Sequence, residues 1–197
     1  MIAGPHLPRS MEAFLVSTGI VALAEMGDKT QLLSLVLAAR FRKPWPIVLG
    51  IFVATLANHA LAGAAGAWLT TLIGPQVLRW ILGASFLAMA AWIMVPDKLD
   101  EEGASKAPRF GVFGTTVIAF FLAEMGDKTQ VATVMLAARY SAWAWVVAGT
   151  TLGMMLANAP VVWFGDRITR WVPIRVVHLV SAVVFVALGI AAFLTSD

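Results

Sequence analysis

Two stretches of this chain, Ala24–Gln31 and Ala123–Gln130, read identically as Ala-Glu-Met-Gly-Asp-Lys-Thr-Gln, and each lies inside a long apolar run. Carboxylate, carboxamide and hydroxyl oxygens are hard donors suited to calcium, manganese or magnesium. Glu25, Asp28 and Gln31 recur every three residues and can share a helical face, as can Glu124, Asp127 and Gln130. Thr30 and Thr129 add hydroxyls if Gly27 and Gly126 open the helix. Asn58 and Asn158, in neighbouring apolar segments, either complete an oxygen cage or hydrogen-bond between helices. Cysteine is absent and His59 is the only histidine deep in an apolar segment, so zinc and copper are disfavoured. For His59 an interhelical hydrogen bond outweighs a proton relay, and Met26 and Met125 read as packing or lipid-facing residues.

A charge near the bilayer centre costs about 2.5–3.5 kcal/mol on insertion scales, so these acids and lysines together would cost on the order of 15–20 kcal/mol uncompensated. Glu25 and Lys29 stand four apart, as do Glu124 and Lys128, which predicts two helical ion pairs, with Lys29 and Lys128 balancing the charge. Asp28 and Asp127 then remain, two negative charges that one divalent cation or two protons neutralise. A site that either can satisfy is the minimum requirement for exchanging the one for the other.

The elements that hold these residues are membrane helices. Of 197 residues 60% are hydrophobic and 13% charged, with mean hydropathy +0.84 and a pI near 9.7. A soluble domain carries nearly twice that charge. The net charge of +3 belongs to a basic cytoplasmic face rather than to nucleic-acid binding. Six spans are predicted: Met11–Ala39, Ile47–Leu72, Val77–Val95, Gly111–Ala138, Trp143–Phe164 and Ile174–Leu194. The first and fourth are too long for a straight crossing, which predicts tilted, kinked or broken helices. Pro160 is expected to kink the fifth, and Gly63 and Gly66 in the second to admit close helix approach. No small-residue cleavage site follows the first apolar run, so a cleavable signal peptide is not expected.

All eight tryptophans fall near predicted span ends, where interfacial belts form. The odd-numbered loops hold Arg40, Arg42, Lys43, Lys98, Lys106, Arg109, Arg167, Arg170 and Arg175, against Arg9, Arg79 and Arg139 on the other side. That asymmetry puts the odd loops in the cytoplasm and both termini outside. Asp100, Glu101 and Glu102, in the longest loop, read as a solvated hydrophilic segment.

The chain is also duplicated. At an offset of 99, Leu37–Arg40 matches Leu136–Arg139, Gly50 matches Gly149 and Phe86 matches Phe185. Leu56-Ala57-Asn58 matches Leu156-Ala157-Asn158 one residue further on. The organisation is an N-terminal extension (1–10), a three-span repeat (11–95), a cytoplasmic linker (96–110) and a second three-span repeat (111–197). Three is odd, so the second copy enters the membrane upside down, an all-α architecture of inverted repeats that places a site at their interface.

At its doubled motif the chain resembles the GDT-type family of calcium/manganese:proton antiporters, whose pattern is Glu-x-Gly-Asp-(Lys/Arg)-(Ser/Thr). Both copies match in full, as Glu25–Thr30 and Glu124–Thr129. The resemblance implies that Glu25, Asp28, Glu124 and Asp127 carry the transported ion, and that there is no prosthetic group. Lacking a long N-terminal region and an extended central loop, the chain is similar to the bacterial branch of manganese exporters, which implies the inner membrane. The rivals are an intramembrane aspartyl protease, which needs two carboxylates in direct contact sharing a proton, a passive divalent-cation channel, and an exporter of basic amino acids.

Overall fold

The computed structural model describes residues 8–95, 110–165 and 174–194. Residues 96–109 of the expected linker, with their acids and basic residues, and Arg167, Arg170 and Trp171 lie outside them.

Apolar runs bounded by proline and glycine give helices, and no strand occurs among the described residues. The order is α1 (Arg9–Glu25), α2 (Lys29–Phe41), α3 (Pro44–Leu72), α4 (Pro75–Ile93), α5 (Gly111–Glu124), α6 (Lys128–Tyr140), α7 (Trp143–Phe164) and α8 (Ile174–Leu194). Proline opens α3 and α4, where its missing N–H costs nothing and its fixed φ suits a first turn. Four helices, α3, α4, α7 and α8, are long and apolar enough to cross a membrane, and α1 with α2 makes a fifth if the bent pair is one span.

The two overlong segments are broken at the motif. α1 stops at Glu25 and α2 restarts at Lys29, with a 70° bend between them. α5 stops at Glu124 and α6 restarts at Lys128. Gly27 (φ 82°) and Gly126 (φ 75°) make both breaks, since a side chain at such φ meets the following carbonyl. Pro160 lies inside α7 without ending it.

Contacts fix the helix directions. α3 and α7 are antiparallel: Trp45 meets Trp163 at one end, with ring centroids 5.4 Å apart, and Gly63 faces Val147 at the other. α4 and α8 are antiparallel as well, Trp80 against Phe193 and Phe86 against Phe185, with centroids 5.1 and 6.2 Å apart. α1 runs parallel to α7, with Phe14 beside Gly149 and Thr18 beside Gly153. α5 runs parallel to α3, with Thr116 beside Gly50.

These approaches need glycine. A Cβ on Gly153 would stand 2.6 Å from the Thr18 carbonyl oxygen, and one on Gly63 2.6 Å from Val147 Cγ2. Gly66 is held as tightly against the Val134 carbonyl, so the close approach expected of this part of α3 is present. Buried apolar side chains form two cores, one around Phe86, Phe185 and Leu136, the other around Ile47, Ile51 and Phe120. The outer surface is apolar too, with Leu61, Leu122 and Val183 exposed. Trp45, Trp92 and Trp163 ring one end of the bundle, and Trp68, Trp80, Trp143 and Trp145 the other, all exposed, as an interfacial belt requires.

Candidate cation site

Each helix break turns two polar helix ends into the protein interior. Glu25 and Glu124 are the last residues of α1 and α5, where unsatisfied carbonyls make the negative end of the helix dipole. Asp28 and Asp127 are the N-caps of α2 and α6, at positive helix ends. All four carboxylates are buried.

The ion pairs do not run along helices as the four-residue spacing predicts. Lys29 Nζ stands 2.9 Å from Asp127, and Lys128 Nζ 3.9 Å from Asp28. Each lysine crosses to the aspartate of the other motif. The spacing assumes a continuous helix, and the positive-φ glycines interrupt it between Glu25 and Lys29, and between Glu124 and Lys128. The lysines still balance charge, but against the aspartates.

The glutamates therefore lack the lysine partners that the spacing suggests. Glu25, Glu124 and Asp127 each offer a carboxylate oxygen, and these oxygens all lie within 4.8 Å of one another. Glu25 Oε2, Glu124 Oε1 and Asp127 Oδ2 are buried with no hydrogen-bond partner among the described residues. The remaining glutamate oxygens are held in place. Thr129 Oγ1 donates to Glu124 Oε2 at 2.8 Å, and Asn158 Nδ2 to Glu25 Oε1 at 3.3 Å. Three converging carboxylates, each with one oxygen that lacks a donor among the described residues, suit calcium or manganese.

The other expected contributors take different places. Gln31 Oε1 accepts the Gly27 N–H at 2.9 Å, and Gln130 Oε1 the Gly126 N–H at 2.7 Å. The glutamines thus cap the glycine breaks with the oxygens expected to face a metal. Their amides bridge to Ala157 O (3.0 Å) and Asn58 Oδ1 (3.4 Å). Asn58 also donates to Phe121 O, and Asn158 Oδ1 accepts from Ser34 at 2.8 Å. Both asparagines therefore join helices, and Asn158 orients Glu25 with its nitrogen. Thr30 is buried in the first turn of α2.

His59 makes no interhelical hydrogen bond among the described residues, although it is fully buried. Met125 is 57% exposed, as a lipid-facing residue should be, while the Met26 carbonyl lies 3.2 Å from His178 Nε2 in α8. Residue typing alone misses Ser34 and His178. Ser34 lies one turn beyond Gln31 on the same face of α2, a signal that was there to read.

Buried acids from two broken helices, in an apolar all-helical chain, define a membrane cation transporter. The sequence model of the family described as "Divalent cation/proton antiporter GDT1" matches residues 13–101 and 112–197, and the chain belongs to that family. A Vibrio cholerae protein named "Putative manganese exporter" is 50% identical over 182 residues, covering 92% of this chain and 90% of that protein. A GDT1-like protein of Synechocystis is 29% identical over 203 residues, covering 94% and 98%. GDT1-like protein 3 of rice is 27% identical over 213 residues, covering 94% of this chain and 75% of that protein. No solved structure matches the chain. The family is one of transporters, so the reading of the chain as a transporter rather than an enzyme is borne out.

Proposed function

We propose that this protein exports Mn2+, with Ca2+ as the alternative cargo, in exchange for protons at a single site made by both motifs. The observation that carries the reading is the convergence of Glu25, Glu124 and Asp127, each with a buried carboxylate oxygen that no group among the described residues satisfies. Four acids against two lysines leave two negative charges in excess. One divalent cation or two protons cancels them, and loading both at once would leave an uncompensated positive charge in the interior. Mutual exclusion of this kind is what couples the two fluxes. The metal favours deprotonated acids, so protons arriving from the far side release it.

Manganese comes first because the Vibrio relative carries that name over most of its length. The oxygens themselves specify only a hard divalent ion. Asp28 and Lys128 complete the charge balance of the site, and Glu25 and Glu124 do most of the exchanging. The carbonyl ends of α1 and α5 favour a cation beside these glutamates, as the ends of broken helices do in other transporters.

The architecture that fits is six spans in two inverted repeats, with α1–α2 and α5–α6 as the broken crossings. The antiparallel pairing of α3 with α7 and of α4 with α8 supports it. Rocking of the repeats would open the site to either side in turn. Basic residues at the α2–α3 connection support a cytoplasmic position for that end, with both termini outside and the bacterial inner membrane as the location.

The test is flux in proteoliposomes of purified protein. Mn2+ movement should follow an imposed pH gradient and produce a counterflow of protons. Mn2+ flux that ignores the pH gradient would identify a channel and overturn the antiport reading.

A further inference from the structure

At the end of the bundle away from the α2–α3 connection, a cavity of about 1120 Å3 opens between α1, α3, α4, α6 and α8. Arg9, Arg79 and Arg139 all line it, with Glu12 as the acid among the lining residues. They are the three basic residues on the side where positive charge is scarce, and they converge on one place. None of the three forms an ion pair among the described residues. Arg79 Nε is buried with no hydrogen-bond partner among the described residues. Arg79 lies over the Trp80 ring and Arg139 over the Tyr140 ring, 5.8 and 5.7 Å from the centroids, contacts that restrain a guanidinium.

The N-terminus of α4 adds to this field. Pro75 and Gln76 line the cavity, and the N-cap is Gly74, which has no side chain to satisfy the first-turn N–H groups. A helix start with uncapped N–H groups beside arginines is an anion site in both charge and geometry. The excess positive charge would repel a divalent cation, so this cavity is not a funnel that gathers the cargo.

We propose that this cavity binds a phosphate-bearing anion, and that its source is the headgroup of an anionic phospholipid. The volume exceeds the roughly 300–1,000 Å3 of drug-sized pockets, far more than inorganic phosphate needs. Its lining is apolar in part, with Ile73, Leu78, Leu82 and Ala192, which gives acyl chains a surface on which to lie. The tryptophans of this end put the cavity at the depth of headgroups.

The test uses full-length protein in detergent, with and without Arg79→Gln/Arg139→Gln. Native mass spectrometry should find phosphatidylglycerol retained by the unaltered protein at roughly tenfold the level of phosphatidylcholine, a preference the double variant loses. Thermal unfolding should show stabilisation by phosphatidylglycerol but not by millimolar inorganic phosphate. Stabilisation by phosphate that the variant loses would assign the site to free phosphate instead. Equal retention of both lipids with no response to phosphate overturns the proposal, as does an anion preference that survives in the variant. Should the double variant fail to fold, lipid competition on the unaltered protein and on Arg9→Gln decides.

Discussion

Glu25 and Asp28 stand three residues apart yet serve different ends, because one closes a helix and the other opens the next. The residue types of the site were readable in the sequence, and the division of labour among them was not. A spacing rule assigned the lysines to the glutamates, and the glycine break reassigned them to the aspartates of the opposite motif. In the proposed mechanism the glutamates are therefore the principal exchanging residues. Replacement of Glu25 or Glu124 by Gln should reduce proton-driven Mn2+ flux to background while the protein still folds, as flux assays and thermal unfolding would show together. Lys29→Met should destabilise, because it strands the buried Asp127. Breaking a buried pair costs about 3–5 kcal/mol, and the 26% exposure of Lys29 puts the loss at the low end. Adding Asp127→Asn should restore part of that stability without restoring transport, a pattern that denaturant unfolding of the single and double variants would reveal. Full additivity would disprove the cross-motif pair.

At the scale of elements, hydropathy located the helices to within a few residues, but only the chemistry of glycine shows where the long ones break. Gly126 has a positive φ and open space around its Cβ position, so Gly126→Ala isolates backbone strain from crowding. It should cost about 1–2 kcal/mol, read by thermal unfolding, and lower Mn2+ affinity by displacing Glu124 relative to Asp127. Gly153→Val acts differently: it drives α7 away from the Thr18 backbone, and so should reduce the yield of folded protein and loosen the Asn158–Glu25 hydrogen bond across the same interface. The Ser34–Asn158 bond could not be read beforehand, because it depends on which helix lies alongside; the glutamine caps are local, four residues along one segment, but exist only because glycine breaks the helix there. The sequence names the polar groups and tertiary packing chooses their partners.

For the whole molecule, the repeated sequence was legible, and the antiparallel α3–α7 and α4–α8 pairs fit the inverted arrangement proposed for it. The chain has no cysteine, so paired labels can be introduced without background. Cysteines replacing Trp45 and Trp163 should be joined by a short bifunctional maleimide, because those rings meet at 5.4 Å. A pair at Trp45 and Trp143 should not be joined, being at opposite ends of the antiparallel helices. The reverse result would overturn the arrangement of the repeats.

The crossed lysine–aspartate pairs also bear on how the protein is made. Asp28 and Lys29 enter the membrane long before their partners have been synthesised. Until the second motif leaves the ribosome, Asp28 and Lys29 stand without their cross-motif partners Lys128 and Asp127. A chain truncated after the first repeat should therefore persist in the membrane less well than the full chain, a difference that pulse–chase of the two would show.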